Sequence, residues 1–233
     1  MTKQEMTKMV RTMKKFALLL FLLSVTTFLK AQEGLKIDYS EIKAKVEDKK
    51  SNSYYPKLLK RFNDFDSTLT IEDYALVYYG FSFQDDYLKN QPDEGALNKL
   101  QKEENYEGLI LEAKKILSVN PVSLSAIDFL IDALQETGRP ETEWKKYQDR
   151  FRAIRRVIAS SGNGMSCESA YKVIYVSDEY NMIYTYFDVE KVHSQKLSGL
   201  CDRFEVDPTK YLPSNVVFFD ISRKLLRQEE LRK

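Results

Sequence analysis

The apolar residues of this chain change their period once, and that change constrains the fold more than any other feature. From residue 36 to about 160 they recur at helical spacing. From 170 to 222 they gather into short runs rich in Val, Ile, Tyr and Phe. The first pattern buries one stripe of each helix, and the second suits strands. Helices followed by strands predict an α+β chain, in which the helices cover a sheet that cannot stand alone.

Within the helical part, Ser40 is placed to cap a helix from Glu41 to about Asp48, with Ile42 and Val46 on one face. Pro56 suits the first turn of a short helix carrying Leu58, Leu59 and Phe62. Thr70, with Asp73 three residues on, predicts a capped helix over IEDYALVYYGFSF. Tyr74, Val77, Tyr78 and Phe81 give it an aromatic inner face. Residues 84–94 are polar, contain a Pro and read as a surface loop.

Three further helices are marked by Tyr106, Leu109, Ala113 and Ile116, by Ala126, Leu130 and Leu134, and by Trp144, Tyr147, Phe151 and Ile154. Gly138-Arg139-Pro140 turns the chain between the last two. The pattern resembles a tetratricopeptide-like (TPR-like) pair of helical hairpins, fewer repeats than the roughly three a free-standing solenoid needs. Plain antiparallel αα-hairpins have the same spacing.

SSGNG at 160–164 closes the helical part. Four strands are predicted beyond it, over AYKVIYV (170–176), NMIYTYF (181–187), LCDRFEV (200–206) and NVVFFDI (215–221). Ser177–Tyr180 would join the first two as a hairpin, and short connections imply a four-stranded antiparallel meander. The tail from Ser222 is charged and reads as solvated.

Upstream, Lys14 and Lys15 precede an apolar run from Phe16 to Leu29, with Ala31 at the exit. This is the layout of a secretory signal beginning at Met13, cleaved near Ala31. An uncleaved anchor is the competing reading, although the run is short of the ~20 apolar residues of a membrane span. Residues 1–31 are therefore expected to be a signal peptide and 32–233 a single α+β domain, with no span left after cleavage. The signal takes six basic residues and one acid from the full chain, which is net +1, and leaves 30 basic against 34 acidic, net −4. A mildly acidic exported protein argues against nucleic acid as a partner.

Cys167 and Cys201 are the only cysteines and His193 the only histidine. In an oxidising compartment the cysteines either pair or stay as two buried thiols. One His and two separated Cys do not make a zinc set, and no cofactor motif is present, so neither metal nor cofactor is expected.

The order IDYSEIKAKVED, YYPKLLKRF, TLTIEDYALVYYGFSFQDDY, the helical hairpins, SGNG, VSDEYNMIYTYF and NVVFFDIS resembles a secreted Bacteroidetes family catalogued as domain of unknown function 4919. Its most specific piece is the helix from Leu69 to Phe81. The resemblance implies export and one domain from about Ile37 to Ile221, and transfers no catalytic or ligand role.

Function is read three ways. A non-catalytic binding module would use a stacking face on the two predicted strands, with Tyr171 and Tyr175 on one and Tyr184 and Tyr186 on the other, to take a glycan or an envelope protein. The same face packed under the helices would be core. A carboxylate-dependent hydrolase of the cell envelope would use Asp178, Glu179 or Asp202, which are also ordinary turn residues. A structural partner of an envelope complex would dock through a sheet edge or a helical groove.

Overall fold

The computed structural model describes residues 34–232. The predicted signal lies outside the described residues. No described helix is long and apolar enough to cross a membrane.

Seven helices come first: α1 (Tyr39–Glu47), α2 (Tyr55–Asn63), α3 (Ile71–Phe81), α4 (Glu94–Lys102), α5 (Tyr106–Val119), α6 (Leu124–Glu136) and α7 (Glu141–Ala159). Side chains close the first turns of five of them, all but α2 and α7. Thr70 and Asp73 form the reciprocal capping box predicted for α3. Asn105 and Ser123 cap α5 and α6. The cap of α1 is Asp38 and not Ser40, because the Asp38 carboxylate reaches the amides of both Ser40 and Glu41.

Leu109, Ala113 and Ile116 of α5 interlock with Ala126, Leu130 and Leu134 of α6, and Trp144 and Tyr147 of α7 close that cluster. A larger core runs from α1–α3 through α7 into the sheet, and it buries Phe62, Tyr78, Tyr79, Tyr87, Tyr175, Phe204 and Phe219 completely.

The C-terminal part corrects the predicted meander. It contains β1 (Tyr171–Lys172), α8 (Val176–Asn181), a π-helical segment (Met182–Tyr186), β2 (Val192–Ser198), β3 (Cys201–Val206), β4 (Val216–Asp220) and α9 (Ser222–Glu230). The sheet order is β1-β4-β3-β2, and β1 runs parallel to β4 while the other pairs are antiparallel. The sheet is therefore mixed.

In place of the predicted hairpin over 170–187, the short strand β1 leads into α8 and the π-helical segment. The apolar residues there are continuous rather than alternating, so β-branched and aromatic propensity alone favoured strands, and tertiary burial overrides it. Asp178 fixes the first turn of α8 by accepting from the Tyr175 amide at 3.3 Å. Met182, Ile183 and Phe187 then enter the core, and the Phe187 amide closes the π turn on the Met182 carbonyl at 2.9 Å.

The strand that takes the vacated place is β2, VHSQKLS, a polar edge exposed along most of its length. It reaches β3 through Gly199-Leu200, where Gly199 holds a φ of 65° as a two-residue hairpin turn demands. The tail is not merely solvated. Arg223 of α9 is buried over the Phe83 ring and donates to the Ser82 carbonyl at 2.9 Å.

Candidate functional site

The segment from β1 to α8 is held by tyrosines of α3 and the loop after it. The Tyr79 hydroxyl donates to the Lys172 carbonyl at 3.0 Å, and the Tyr87 hydroxyl to the Ile174 carbonyl. Tyr78 accepts from the Ile174 amide at 3.2 Å and donates to Asp178 Oδ2 at 2.6 Å. These bonds satisfy a non-repetitive backbone in the interior and set the position of α8.

The buried side of α8 carries two acids that meet a third on β3. Asp178, Glu179 and Asp202 are 1, 0 and 6% exposed. Burial pushes Asp178 up to about 7, against the pull of its bonds from Tyr78 and the Tyr175 amide. Neither Glu179 oxygen meets a hydrogen-bond donor. An ion left that way would be expensive. Burial, then the Asp202 carboxylate, pushes Glu179 up to about 10, which favours a protonated carboxyl beside Asp202 near neutral pH. Asp202 also accepts from Gln195 Nε2 at 2.9 Å, and Gln195 in turn accepts from the Tyr180 hydroxyl. The acids are thus linked through β2 to Tyr180.

Tyr180 stands at the wall of a groove. Asn98 and Glu94 of α4 and Ser125, Asp128 and Phe129 of α6 form one side, and Ser177, Tyr180, Asn181, Tyr184 and Thr185 form the other. The groove holds about 330 Å³, and a neighbouring recess of about 300 Å³ shares Asp128 and Phe129 with it and adds Gln101 and Asp132. The rings of Tyr180 and Tyr184 are stacked with centroids 6.1 Å apart. Ser125, Asp128, Phe129 and Asp132 recur at i, i+3, i+4 and i+7, a partly polar stripe on a helix otherwise buried up to its exposed end at Gln135 and Glu136. Asp128 is half-buried. Desolvation pushes it up to about 6, with Arg155 opposing and Asp132 reinforcing the shift.

A family model described as Domain of unknown function (DUF4919) matches residues 40–230. The chain belongs to this family. No curated protein and no solved structure matches it. The region matched to DUF4919 contains both walls of the groove and the buried acids.

The predicted tyrosine face does not exist as one surface in this DUF4919 chain, because its second strand is a helix. Tyr171 is buried between Phe187 and Phe219, with ring centroids 5.2 and 5.8 Å away. Tyr175 is buried against Tyr87 and donates to its carbonyl at 2.6 Å. Tyr186 packs on Phe187 at 5.2 Å. Tyr184 alone of the four is exposed, and it faces the groove.

Cys167 and Cys201 are joined as a disulfide, with Cα atoms 5.7 Å apart. His193 meets Asp207 at 2.7 Å on the surface. Among the described residues no group of three or more His, Cys, Asp or Glu is arranged to hold a metal ion.

Sequence reasoning named Asp178, Glu179 and Asp202 but missed Glu94, Asp128, Asp132 and Ser177. The polar stripe on α6 is the signal that could have found two of these.

Proposed function

We propose that this protein is an exported, non-catalytic binding module that takes a small polar ligand in the groove between α6 and α8. The observation that carries the reading is the groove itself, where a stacked tyrosine pair on one wall faces Phe129, Asp128 and Glu94 on the other. Binding sites commonly combine a few polar groups with aromatic walls in a cleft of ~300–1,000 Å³. A π-helical turn on one wall fits the same pattern, since such turns recur at functional sites. Export is supported by Lys14-Lys15, the apolar run that follows them and the disulfide, which persists in an oxidising compartment.

The hydrolase reading has less support. Asp178, Glu179 and Asp202 lie together but behind the groove wall, and none of them lines the groove. A general acid has to reach the atom it protonates.

The test is a thermal-shift panel of glycans, amino acids, short peptides and amines on the wild type and on Phe129→Ala/Tyr184→Ala. A ligand that raises the melting temperature of the wild type alone supports the groove. Ligands that act equally on both proteins, or on neither, refute it.

A further inference from the structure

Lining charge separates the ligand classes. Across the groove and its recess the side chains include three carboxylates, Glu94, Asp128 and Asp132, and no Lys, Arg or His. None of the three forms an ion pair among the described residues. Two of them have neutral partners: Glu94 accepts from the Ser125 hydroxyl, and Asp132 from Gln101 Nε2 at 2.9 Å. Arg155 is the cation that acts on Asp128, but its guanidinium is turned to the Thr185 carbonyl at 2.7 Å and hydroxyl at 3.1 Å. Such a cleft repels anions and concentrates cations.

The carboxylates do not converge as a metal site requires. Asp128 and Asp132 are instead one helical turn apart on α6, a like-charge i,i+4 pair that destabilises a helix left to itself. Glu94 of α4 adds a third carboxylate on the same wall as Asp128. Charges strung along a channel fit a cation that is itself strung out. Between them the surface is aromatic, with Phe129 on one wall and the Tyr180–Tyr184 stack on the other. Those rings suit methylenes and also attract ammonium groups.

We infer that the groove and its recess bind a linear polyamine, with ammonium groups at Glu94, Asp128 and Asp132 and alkyl segments along Phe129, Tyr180 and Tyr184. The inference rests on the binding reading above and adds the ligand's chemistry.

Isothermal titration calorimetry with spermidine tests it, with magnesium chloride and glucose as comparison ligands. Spermidine is expected to bind one to one and to weaken as salt rises, while the other two do not bind. Asp128→Asn/Asp132→Asn keeps the side-chain shapes and removes the i,i+4 repulsion, so it stays folded, as a melting curve checks. Its spermidine affinity should fall by at least about tenfold, since charge-assisted hydrogen bonds are lost. Glu112→Gln, on the surface of α5, should leave it unchanged.

No spermidine binding, or equal binding to the Asn variant, overturns the polyamine assignment. If in that case a neutral glycan or peptide binds the wild type and not Phe129→Ala/Tyr184→Ala, the groove reading survives and only the ligand class fails. If nothing binds, both fail.

Discussion

Replacing Glu179 by Gln isolates the most unusual charge arrangement in the interior. Glu179 is fully buried, lacks any hydrogen-bond donor and sits against Asp202. Its carboxyl is raised from 4.5 to about 10, so between those pH values folding takes up one proton at this position. A group raised by folding contributes its full stability below the unfolded value and loses it as pH climbs through the folded one. The loss is about 1.4 kcal/mol per pH unit. At pH 7.5, three units above the unfolded value, the wild type has forgone about 4 kcal/mol relative to acid conditions. Gln is neutral throughout and carries an amide that can donate to Asp202. One amide hydrogen is left without an acceptor, which costs about 1–3 kcal/mol. The variant should therefore gain about 2 kcal/mol at pH 7.5, or about 4–8 °C in melting temperature for a domain this size. Near pH 4.5 it should lose that advantage. Scanning calorimetry from pH 4.5 to 8.5 reads both curves. Asp178 and Asp128 are raised too and tilt both proteins the same way, so the diagnostic quantity is the difference in slope. Parallel slopes, or a wild type whose stability rises with pH across this range, would refute a protonated Glu179.

Tyr78→Phe should cost about 2–3 kcal/mol in urea denaturation, because it strips a buried carboxylate and the Ile174 amide of one partner at once. Cys167→Ser/Cys201→Ser opens a loop with a sequence separation of 34 and should lower stability by about 4 kcal/mol on the chain-entropy model, with dithiothreitol reproducing the shift in the wild type. Gly164→Ala places a methyl 2.5 Å from the Tyr171 ring at a backbone φ of +68°. It should cost at least about 2 kcal/mol by thermal melting, and an unchanged melting temperature would show that the turn can move.

The helical part was legible because its signals are local. Thr70 and Asp73 sit three residues apart, Ala126, Leu130 and Leu134 share one face, and Gly138-Arg139-Pro140 breaks the helix where it says it does. The segment 170–187 was not legible, because what decides its conformation is distant in sequence. Asp178 takes its hydrogen bond from Tyr78, a hundred residues away. Strand β2 was missed for the opposite reason: an exposed edge such as Val192–Ser198 has no buried face and so no alternation to read, and Gly199 was its one local mark. The parallel pairing of β1 with β4, Tyr171 opposite Phe219, followed from that displacement. The acids of the candidate groove escaped notice because each is unremarkable alone, and only the packing of α4 and α8 beside α6 brings them to one cleft.

The disulfide gives the groove two walls of different kinds. Ser177, Tyr180, Asn181, Tyr184 and Thr185 all lie between Cys167 and Cys201, as does Gln195, which steadies Tyr180. That wall is a closed covalent ring, whereas α4 and α6 belong to the open chain outside it. A protease that cut once inside the ring would leave every fragment attached, and reducing agent would then let the C-terminal piece go. Reduction without cleavage would turn that wall back into open chain, like the wall of α4 and α6 opposite it.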